Sequence, residues 1–545
     1  MRTATPLLAV LSIWFSVSAA AAKPPTLDRL FPAGARRGES VDVTASGQFD
    51  HWPVRVWAST PGVKVEPGGA KGTLKVSVAN GVPPGVCWLR LADDEGATAP
   101  RPFVVGTLAE VMEAEPNDEP AKAQRLDRPA VTVNGRLVKP GDVDSYAVRL
   151  ARGQTLVASM EANRRLGSPM DGVLQVVSPA GFVLAQNDDD HDHDPQVVFE
   201  APDAGEYVVR TFAFPANPDS SIRFAGAESY VYRLTLTTGG FLDHPYPFAV
   251  ARSGPTRVEA VGWNVPESVR FFHFEPRDDA DPVRVDHALI ENAAEVRVVP
   301  HASVVESEPN NADHPQAIET PVSVTGRIDP PRDVDVYQFP ARKGQVLVVR
   351  VESRSLGQPL DAALRMTDAA GKVVSEADDS SRGRDPEFRV TVPADGTYRV
   401  AVRDLNGQGG RRYAYLLTVE TPRPDFSLTL KADQFTVTPG KTLDVPVTVA
   451  RANGFDGAIE VGLAEPVEGV TVKPQVSEPK GPSAGTVTLK VEATEHAASG
   501  VFRVVGKAPD GHKKTATFAV PGLSASLPSA WLTVVKAPPK PSPAK

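Results

Sequence analysis

The chain contains the stretch EAEPND at Glu113–Asp118, followed by GDVDSY at Gly141–Tyr146. A second copy reads ESEPNN at Glu306–Asn311, followed by RDVDVY at Arg332–Tyr337. The residues after each pair of motifs also align, so residues 109–239 and residues 305–422 are predicted to be equivalent modules. Repetition at the length of a whole domain predicts two copies of one fold, rather than a solenoid of short repeats.

Within each copy, apolar and polar residues alternate. Tyr146, Val148 and Leu150 fall on one face of a predicted strand, as do Tyr337 and Phe339. Several short strands separated by Gly and Pro turns indicate a two-sheet sandwich. At 545 residues the chain is too long for one core. We therefore predict an all-β protein built as a multidomain string of β-sandwiches.

The remaining segments are assigned by the same alternation. The predicted order along the chain is a signal peptide at 1–22, a β-domain at 23–108, the first sandwich at 109–239, a smaller β-domain at 240–304, the second sandwich at 305–422, a C-terminal β-domain at 423–536 and a Pro/Lys tail at 537–545. Residues 1–22 carry Arg2, an apolar run and small residues before Lys23, which is the pattern of a secretory signal peptide.

The motifs shared by the two modules resemble those of the bacterial pre-peptidase C-terminal domain family. They are EPN followed by D or N, DVDxY, LGxPxDxxL, a PADGxY-type turn and a closing YxYxLT strand. The resemblance implies a jelly-roll-like β-sandwich found on secreted bacterial proteins, often beside peptidases. Some members of that family, in bacterial collagenases, bind calcium and substrate.

The flanking domains resemble immunoglobulin-like families. Residues 23–108 are similar to the IPT/TIG family, with Pro32, Gly34, Gly38, Gly47 and Phe49 on its pattern. Residues 240–304 look like a diverged second copy of that domain, and residues 423–536 resemble immunoglobulin-like domains that close many exported bacterial proteins.

Charge and cysteine content restrict the class of protein. The net charge of −9 provides no basic stripe for nucleic acid. Cys87 is the only cysteine, so no disulfide forms within the chain, and the pattern VCWLRL predicts a buried thiol in a strand. After signal cleavage we expect no transmembrane segment, and a location outside the cell, in the periplasm or in the cell envelope.

The acidic motifs are the candidate metal sites. Carboxylate and amide oxygens suit calcium, which takes six to eight of them, and we expect one Ca²⁺ per module. The candidate ligands are Glu113, Glu115, Asn117, Asp118, Asp142 and Asp144 in the first module, and Glu306, Glu308, Asn310, Asn311, Asp333 and Asp335 in the second. The alternative is that Pro116 and Asn117 form a turn and the acids are solvated or paired with arginine.

Two further groups could bind ligands. His191 and His193, in NDDDHDHDP, could bind a transition metal, but the second copy keeps Asp378 and Asp385 without histidine, which favours a scaffold role for the acids. The closing-strand tyrosines could form a ligand platform or pack in the core; they are Tyr230, Tyr232, Tyr413 and Tyr415.

The sequence contains no HExxH pair, Walker loop or dinucleotide fingerprint. We therefore predict a non-catalytic exported protein that binds extracellular protein or polysaccharide, or acts as a spacer in the envelope. The alternatives are an accessory component of a secreted peptidase system, and a rod of five β-domains.

Overall fold

The computed structural model describes residues 23–218, 223–254, 256–274, 282–381 and 383–535. The predicted signal peptide and the Pro/Lys tail lie outside these residues. Strands dominate the described residues, as predicted for an all-β chain, and they form many small sheets. The helical segments among them are short: α1 at Asn163–Leu166 and 3₁₀ turns at Pro120–Lys122, Glu267–Val269 and Arg354–Leu356. No described helix is long and apolar enough to cross a bilayer.

The N-terminal unit consists of two four-stranded sheets, ordered β1-β3-β6-β5 and β2-β8-β7-β4. Its strands are β1 Arg29–Phe31, β2 Gly34–Arg36, β3 Ser40–Ser46, β4 Arg55–Ala58, β5 Val63–Pro67, β6 Thr73–Val78, β7 Gly85–Ala92 and β8 Arg101–Gly106. Leu74, Val76 and Val78 are buried on alternate positions of β6. Cys87 is fully buried in β7, which confirms the prediction made from its neighbours.

The first sandwich consists of two five-stranded sheets, ordered β10-β12-β17-β14-β15 and β16-β13-β18-β11-β9. Its strands are β9 Glu110–Met112, β10 Gln124–Arg125, β11 Ala130–Arg136, β12 Asp144–Leu150, β13 Thr155–Glu161, β14 Met170–Val177, β15 Val183–Asn187, β16 Gln196–Glu200, β17 Gly205–Pro215 and β18 Val231–Thr237. The inward residues of both sheets form one core, which includes Tyr146, Leu174 and Val209.

A smaller unit of two three-stranded sheets follows, ordered β19-β21-β22 and β20-β24-β23. Its strands are β19 Phe241–Tyr246, β20 Ala249–Ala251, β21 Thr256–Trp263, β22 Phe271–Phe274, β23 Val283–Val285 and β24 Ala294–Val299. β20 pairs in parallel with β24, as β2 does with β8 in the N-terminal unit.

The second sandwich has the strand order of the first, strand for strand: β26-β28-β33-β30-β31 and β25-β27-β34-β29-β32. Its strands are β25 Ala302–Val305, β26 Gln316–Ala317, β27 Val322–Arg327, β28 Val334–Ala341, β29 Val346–Glu352, β30 Ala362–Asp368, β31 Val373–Ala377, β32 Glu387–Thr391, β33 Gly396–Asp404 and β34 Ala414–Glu420. A second separate core lies between these sheets and includes Tyr337, Val349 and Val400.

The C-terminal unit contains sheets β35-β37-β41-β39, β36-β47-β42, β40-β38-β43-β44 and β45-β46. Its strands are β35 Asp425–Leu430, β36 Gln434–Val437, β37 Thr442–Ala452, β38 Ile459–Leu463, β39 Val470–Val472, β40 Gln475–Ser477, β41 Thr486–Ala493, β42 Gly500–Phe502, β43 Val504–Lys507, β44 Lys513–Thr515, β45 Phe518–Ala519, β46 Ser526–Leu527 and β47 Ala530–Val534.

The C-terminal unit packs against the N-terminal unit. The guanidinium of Arg90, fully buried, lies 3.0 Å from a carboxylate oxygen of Asp433 and donates to its backbone oxygen at 3.2 Å. Trp531 packs with Ala92 and Ala97 in a small apolar cluster. In an extended rod the first and last domains do not touch, so these contacts argue against the rod among the alternatives considered above.

Candidate metal centre

The acidic motifs meet at the start of one core strand in each sandwich. Asp144 is the first residue of β12, and Asp335 is the second residue of β28. Both side chains are fully buried. Charged carboxylates at such positions are costly unless they have partners, because the surrounding protein solvates charge poorly.

A pair of tyrosines provides the first partner of each buried aspartate. The Tyr232 hydroxyl donates to Asp144 Oδ2 and lies 2.5 Å from the Tyr146 hydroxyl. In the second sandwich, the Tyr415 hydroxyl donates to Asp335 Oδ2 at 2.5 Å, and it lies 2.7 Å from that of Tyr337. This arrangement is the same in both copies.

The ligand-platform hypothesis for the closing strands is therefore wrong for Tyr232 and Tyr415, which are fully buried. Tyr230 is also buried, at 9% exposure, and Tyr413 is half-buried beside the second core. The hydroxyls of Tyr232 and Tyr415 belong to the acidic site, a role that the sequence reading missed. The sequence feature that could have indicated this role is the YxYxLT motif, which occurs in both modules together with the acidic motifs.

The glutamates reach the same place from the segment that enters each sandwich. Glu113 Oε2 accepts from the backbone N–H of Arg136 at 2.6 Å, and Glu306 Oε2 accepts from that of Arg327 at 2.7 Å. Two residues further on, Glu115 Oε2 and Glu308 Oε2 each accept from a backbone N–H at 2.9 Å; the donors are Asn117 and Asn310. Glu115 and Glu308 are exposed, so each site has an opening to solvent.

Three carboxylates converge in each sandwich. One ligand atom from each of Glu115, Asp142 and Asp144 lies within 4.8 Å of the others, and the same holds for Glu306, Glu308 and Asp335. These separations are short enough for a single ion to contact all three oxygens at the 2.3–2.6 Å of calcium coordination.

Several buried oxygens at these sites have no hydrogen-bond partner. They are Asp144 Oδ1, Asp335 Oδ1 and the side-chain oxygens of the fully buried Asn117 and Asn310. Asp142 Oδ1 also lacks a hydrogen bond, although Lys139 Nζ lies 3.5 Å away. Buried polar atoms are rarely left without partners, and an ion that accounts for them is one explanation. The donor set therefore fits a hard cation.

Burial and mutual repulsion change the acidity of these groups. Desolvation and the nearby charge of Glu113 raise the pKa of Asp144 to about 9, and desolvation raises the pKa of Glu113 to about 7. The same causes raise the pKa of Asp335 to about 9 and that of Glu306 to about 7. A divalent cation would offset this repulsion and favour the ionised carboxylates.

Six of the predicted ligands lie outside the converging groups: Glu113, Asn117 and Asn310, described above, and Asp118, Asn311 and Asp333. Asp118 is half-buried and lies 3.9 Å from the Lys139 ammonium. Asn311 is exposed, and its Oδ1 accepts from the backbone N–H groups of residues 313 and 314, as in a turn. Asp333 is half-buried and its Oδ1 accepts from the N–H of the next residue.

The histidine-rich loop of the first sandwich is divided between two environments. His193 lies with Asp171 and Asp189 in a partly exposed group, its Nδ1 being 3.3 Å from an Asp171 oxygen. His191 is not in that group and instead packs against Gly357 of the second sandwich. The two histidines therefore do not form one site.

The residue just before His191 joins the sandwiches. Asp190 accepts two hydrogen bonds from the guanidinium of Arg412, at 2.8 and 2.9 Å, across the sandwich boundary. Arg412 also donates to Asp243 at 2.9 Å, and Asp243 lies 2.7 Å from His244 Nδ1. Part of the loop is thus a junction between three folded units.

The predicted scaffold role of the acids near this loop is borne out for Asp385. Its carboxylate accepts from the backbone N–H groups of Ser353, Arg354 and Ser355. Asp194 does the same in the first sandwich, toward residues 162, 163 and 164.

A Ser–His contact occurs in the second sandwich, where His301 Nε2 lies 2.8 Å from Ser323 Oγ. Ser323 is only 1% exposed, so its hydroxyl is inaccessible to a substrate. The pair therefore does not have the exposed nucleophile that covalent catalysis needs.

Comparison with known proteins identifies part of the second sandwich. Residues 333–404 match the family described as bacterial pre-peptidase C-terminal domain. A probable subtilase-type serine protease of Deinococcus radiodurans is 24% identical over 332 residues, which is 57% of this chain. The chain covers 40% of that relative's length.

Similar solved structures cover various parts of the chain. The periplasmic lysozyme inhibitor PliG of Aeromonas hydrophila is 13% identical, covering 24% of this chain and 98% of its own, with a TM-score of 0.16. SGBP-B of the Bacteroides ovatus mixed-linkage glucan utilization locus is 10% identical, covering 70% of this chain and 74% of its own, with a TM-score of 0.15. These scores are too low to support an argument about function.

Proposed function

We propose that this protein is an exported, non-catalytic β-domain protein whose two sandwiches each bind one calcium ion, and whose assembled surface binds extracellular protein or polysaccharide. The observation that carries the metal proposal is a group of three carboxylates in each sandwich, two of them at equivalent positions, with buried, unpartnered oxygens beside them. The binding role is supported by the predicted signal peptide and by a fold made of small sandwiches.

The chemistry of the donors favours calcium over transition metals. Each group contributes carboxylate and amide oxygens and no nitrogen or sulfur ligand, which is the preference of a hard cation with several oxygen ligands. The residues that would hold the ion are Glu113, Glu115, Asn117, Asp142 and Asp144 in the first sandwich, and Glu306, Glu308, Asn310 and Asp335 in the second. The ion would supply positive charge that joins the entry segment to the sandwich.

Calcium titration of the full chain, after treatment with chelator and with isothermal calorimetry as the readout, tests the metal proposal. We expect two bound ions and a higher unfolding temperature with calcium. A ligand at a hundredfold excess over its Kd stabilises the folded state by about 2.7 kcal/mol. The variant that combines Glu115→Gln with Glu308→Gln should lose this increment. Asp444→Asn is the matched control, because Asp444 is exposed and lies outside both sandwiches, where it pairs with Lys490 within the C-terminal unit.

The binding role is tested by retention of the purified chain on immobilised cell-wall polysaccharide, chitin and collagen. Retention on at least one matrix, removed by excess soluble ligand, supports the proposal. Retention on none of them, with calcium bound, argues for a spacer.

A second candidate function is that of an accessory component of a secreted peptidase system. It is favoured by the match of residues 333–404 and by the distant protease relative. Copurification of a peptidase with the tagged protein from its native source would support this alternative. Labelling of the purified chain by an active-site-directed serine peptidase probe would refute the non-catalytic assignment.

A further inference from the structure

Each sandwich receives an aromatic ring from the unit that precedes it. Phe31 of the N-terminal unit lies over the guanidinium of Arg136, with its ring centre 4.1 Å from Arg136 Cζ. Tyr246 of the smaller unit lies over Arg327 in the same way, at 4.6 Å. Each of these arginines is the residue whose backbone N–H binds the first glutamate of the acidic site, Glu113 or Glu306. The two docking contacts are therefore equivalent.

The two contacts differ by one hydroxyl group. The Tyr246 hydroxyl donates to Glu306 Oε1 at 2.9 Å, while Oε2 of the same carboxylate accepts from Arg327 N. Glu306 is thus held by two folded units at once. Phe31 occupies the corresponding place at the first site and has no hydroxyl to donate.

We propose that Tyr246 is a positioning residue of the second cation site, supplied by a neighbouring unit, and that it links calcium binding there to the docking of residues 240–304. The inference rests on the calcium sites of the proposed function. A carboxylate that is already oriented loses less side-chain freedom when it binds an ion. Linkage is reciprocal, so the bound ion must in turn stabilise the docked arrangement. At the first site the corresponding residue is Phe31, which has no hydroxyl, so this linkage is not expected there.

The rest of the interface does not depend on the hydroxyl. Phe248 and Ala249 of the smaller unit form a buried apolar cluster with Ala414 and Leu416 of the second sandwich. The Ser303 hydroxyl also donates to the backbone oxygen of Ala249 at 2.7 Å. Tyr246→Phe should therefore keep both the fold and the ring–guanidinium contact, which makes it a clean test.

The experiment measures the second site alone, in a full-chain parent that carries Asp144→Asn to disable the first site. Calcium affinity is measured by calorimetry, and hydrogen exchange of residues 241–251 is measured with calcium and with chelator. Tyr398→Phe is the matched control: it removes a hydroxyl of the second sandwich that donates to the backbone oxygen of Ala394.

We expect Tyr246→Phe to raise the Kd for calcium about two- to tenfold, the range given by the freedom of one long side chain. Calcium should slow exchange in residues 241–251 in the parent and in Tyr398→Phe, and should not do so in Tyr246→Phe. An unchanged Kd together with retained calcium protection in Tyr246→Phe overturns the inference and leaves the calcium sites standing. Absence of calcium binding in the protein with both sites intact refutes the proposed function itself.

Discussion

Replacing Asp335 by asparagine tests whether the buried acids destabilise the calcium-free protein. Burial and the charge of Glu306 raise the pKa of Asp335 to about 9, whereas an aspartate in an unfolded chain has a pKa of about 3.9. Between these values the native side chain holds a proton that the unfolded chain has lost. Stability is therefore greatest below the lower pKa and falls as pH rises toward the higher one.

The expected loss is about 1.4 kcal/mol per pH unit for one such group. Between pH 5 and pH 8 the raised pKa of Asp335 should therefore cost the second sandwich at most about 4 kcal/mol. The raised pKa of Glu306, which titrates together with Asp335, acts in the same direction. Asp335→Asn resembles the protonated acid, so it should remove most of this dependence. It should also abolish calcium binding at the second site.

The assay is urea unfolding of chelator-treated protein at pH 5, 6, 7 and 8. Unfolding of the second sandwich is followed by pulsed hydrogen exchange in peptides from β28 and β34. Asp368→Asn is the control: Asp368 is the last residue of β30 in the same sandwich, and its Oδ1 accepts from the N–H groups of Ala370 and Lys372. Equal pH dependence in the unmodified protein and in Asp335→Asn would refute the reasoning.

Three further predictions concern the contacts that join and shape the units. Arg412→Ala removes the ion pairs that connect both sandwiches and the smaller unit. We expect the free energy of unfolding to fall by about 2 kcal/mol and limited proteolysis between the units to become faster. An unchanged digestion pattern would count against the junction. Arg90→Ala leaves the Asp433 carboxylate without its partner at the interface between the first and last units. This interface should then loosen, and the fluorescence of Trp531 should shift to the red as that residue becomes more exposed. Asp385→Asn and Asp194→Asn each weaken charge-assisted hydrogen bonds to three backbone N–H groups; each should lower the unfolding temperature measured by calorimetry without changing calcium affinity.

The duplicated motifs were sufficient to predict the all-β class, because strand periodicity and turn residues are local properties of the chain. They also predicted acids that lie close together, since carboxylates that recur at the same spacing from core residues occupy equivalent positions in both copies. Glu115, Asp144, Glu308 and Asp335 are examples, and the structure brings them into converging groups.

The partners of those acids could not be predicted. The tyrosines that bind Asp144 and Asp335 come from the last strand of each sandwich, nearly ninety and eighty residues further along the chain. Alternation predicted that Tyr232 and Tyr415 were on strands, but it did not say which face was buried or which residue lay opposite. That information depends on strand pairing across the sheets.

The contacts of the histidine-rich loop also could not be predicted from the sequence. Its composition suggested metal binding, and the loss of histidine in the second copy argued against it. Neither observation could reveal that Asp190 is bound by Arg412, 222 residues away. Contacts between domains leave no periodic signal, because each involves single residues of units that fold separately.

The sequence by itself determined that this protein is a series of β-sandwiches with a repeated acidic motif, because local alternation and the recurrence of the motifs carry that information. Only the tertiary structure decided that the C-terminal unit packs on the N-terminal unit, that the tyrosines complete the acidic sites, and that Tyr246 reaches Glu306 from another unit. The physical reason is that these features depend on which surfaces meet after each sandwich has formed, and hydrogen bonds between distant residues are specified by that packing alone.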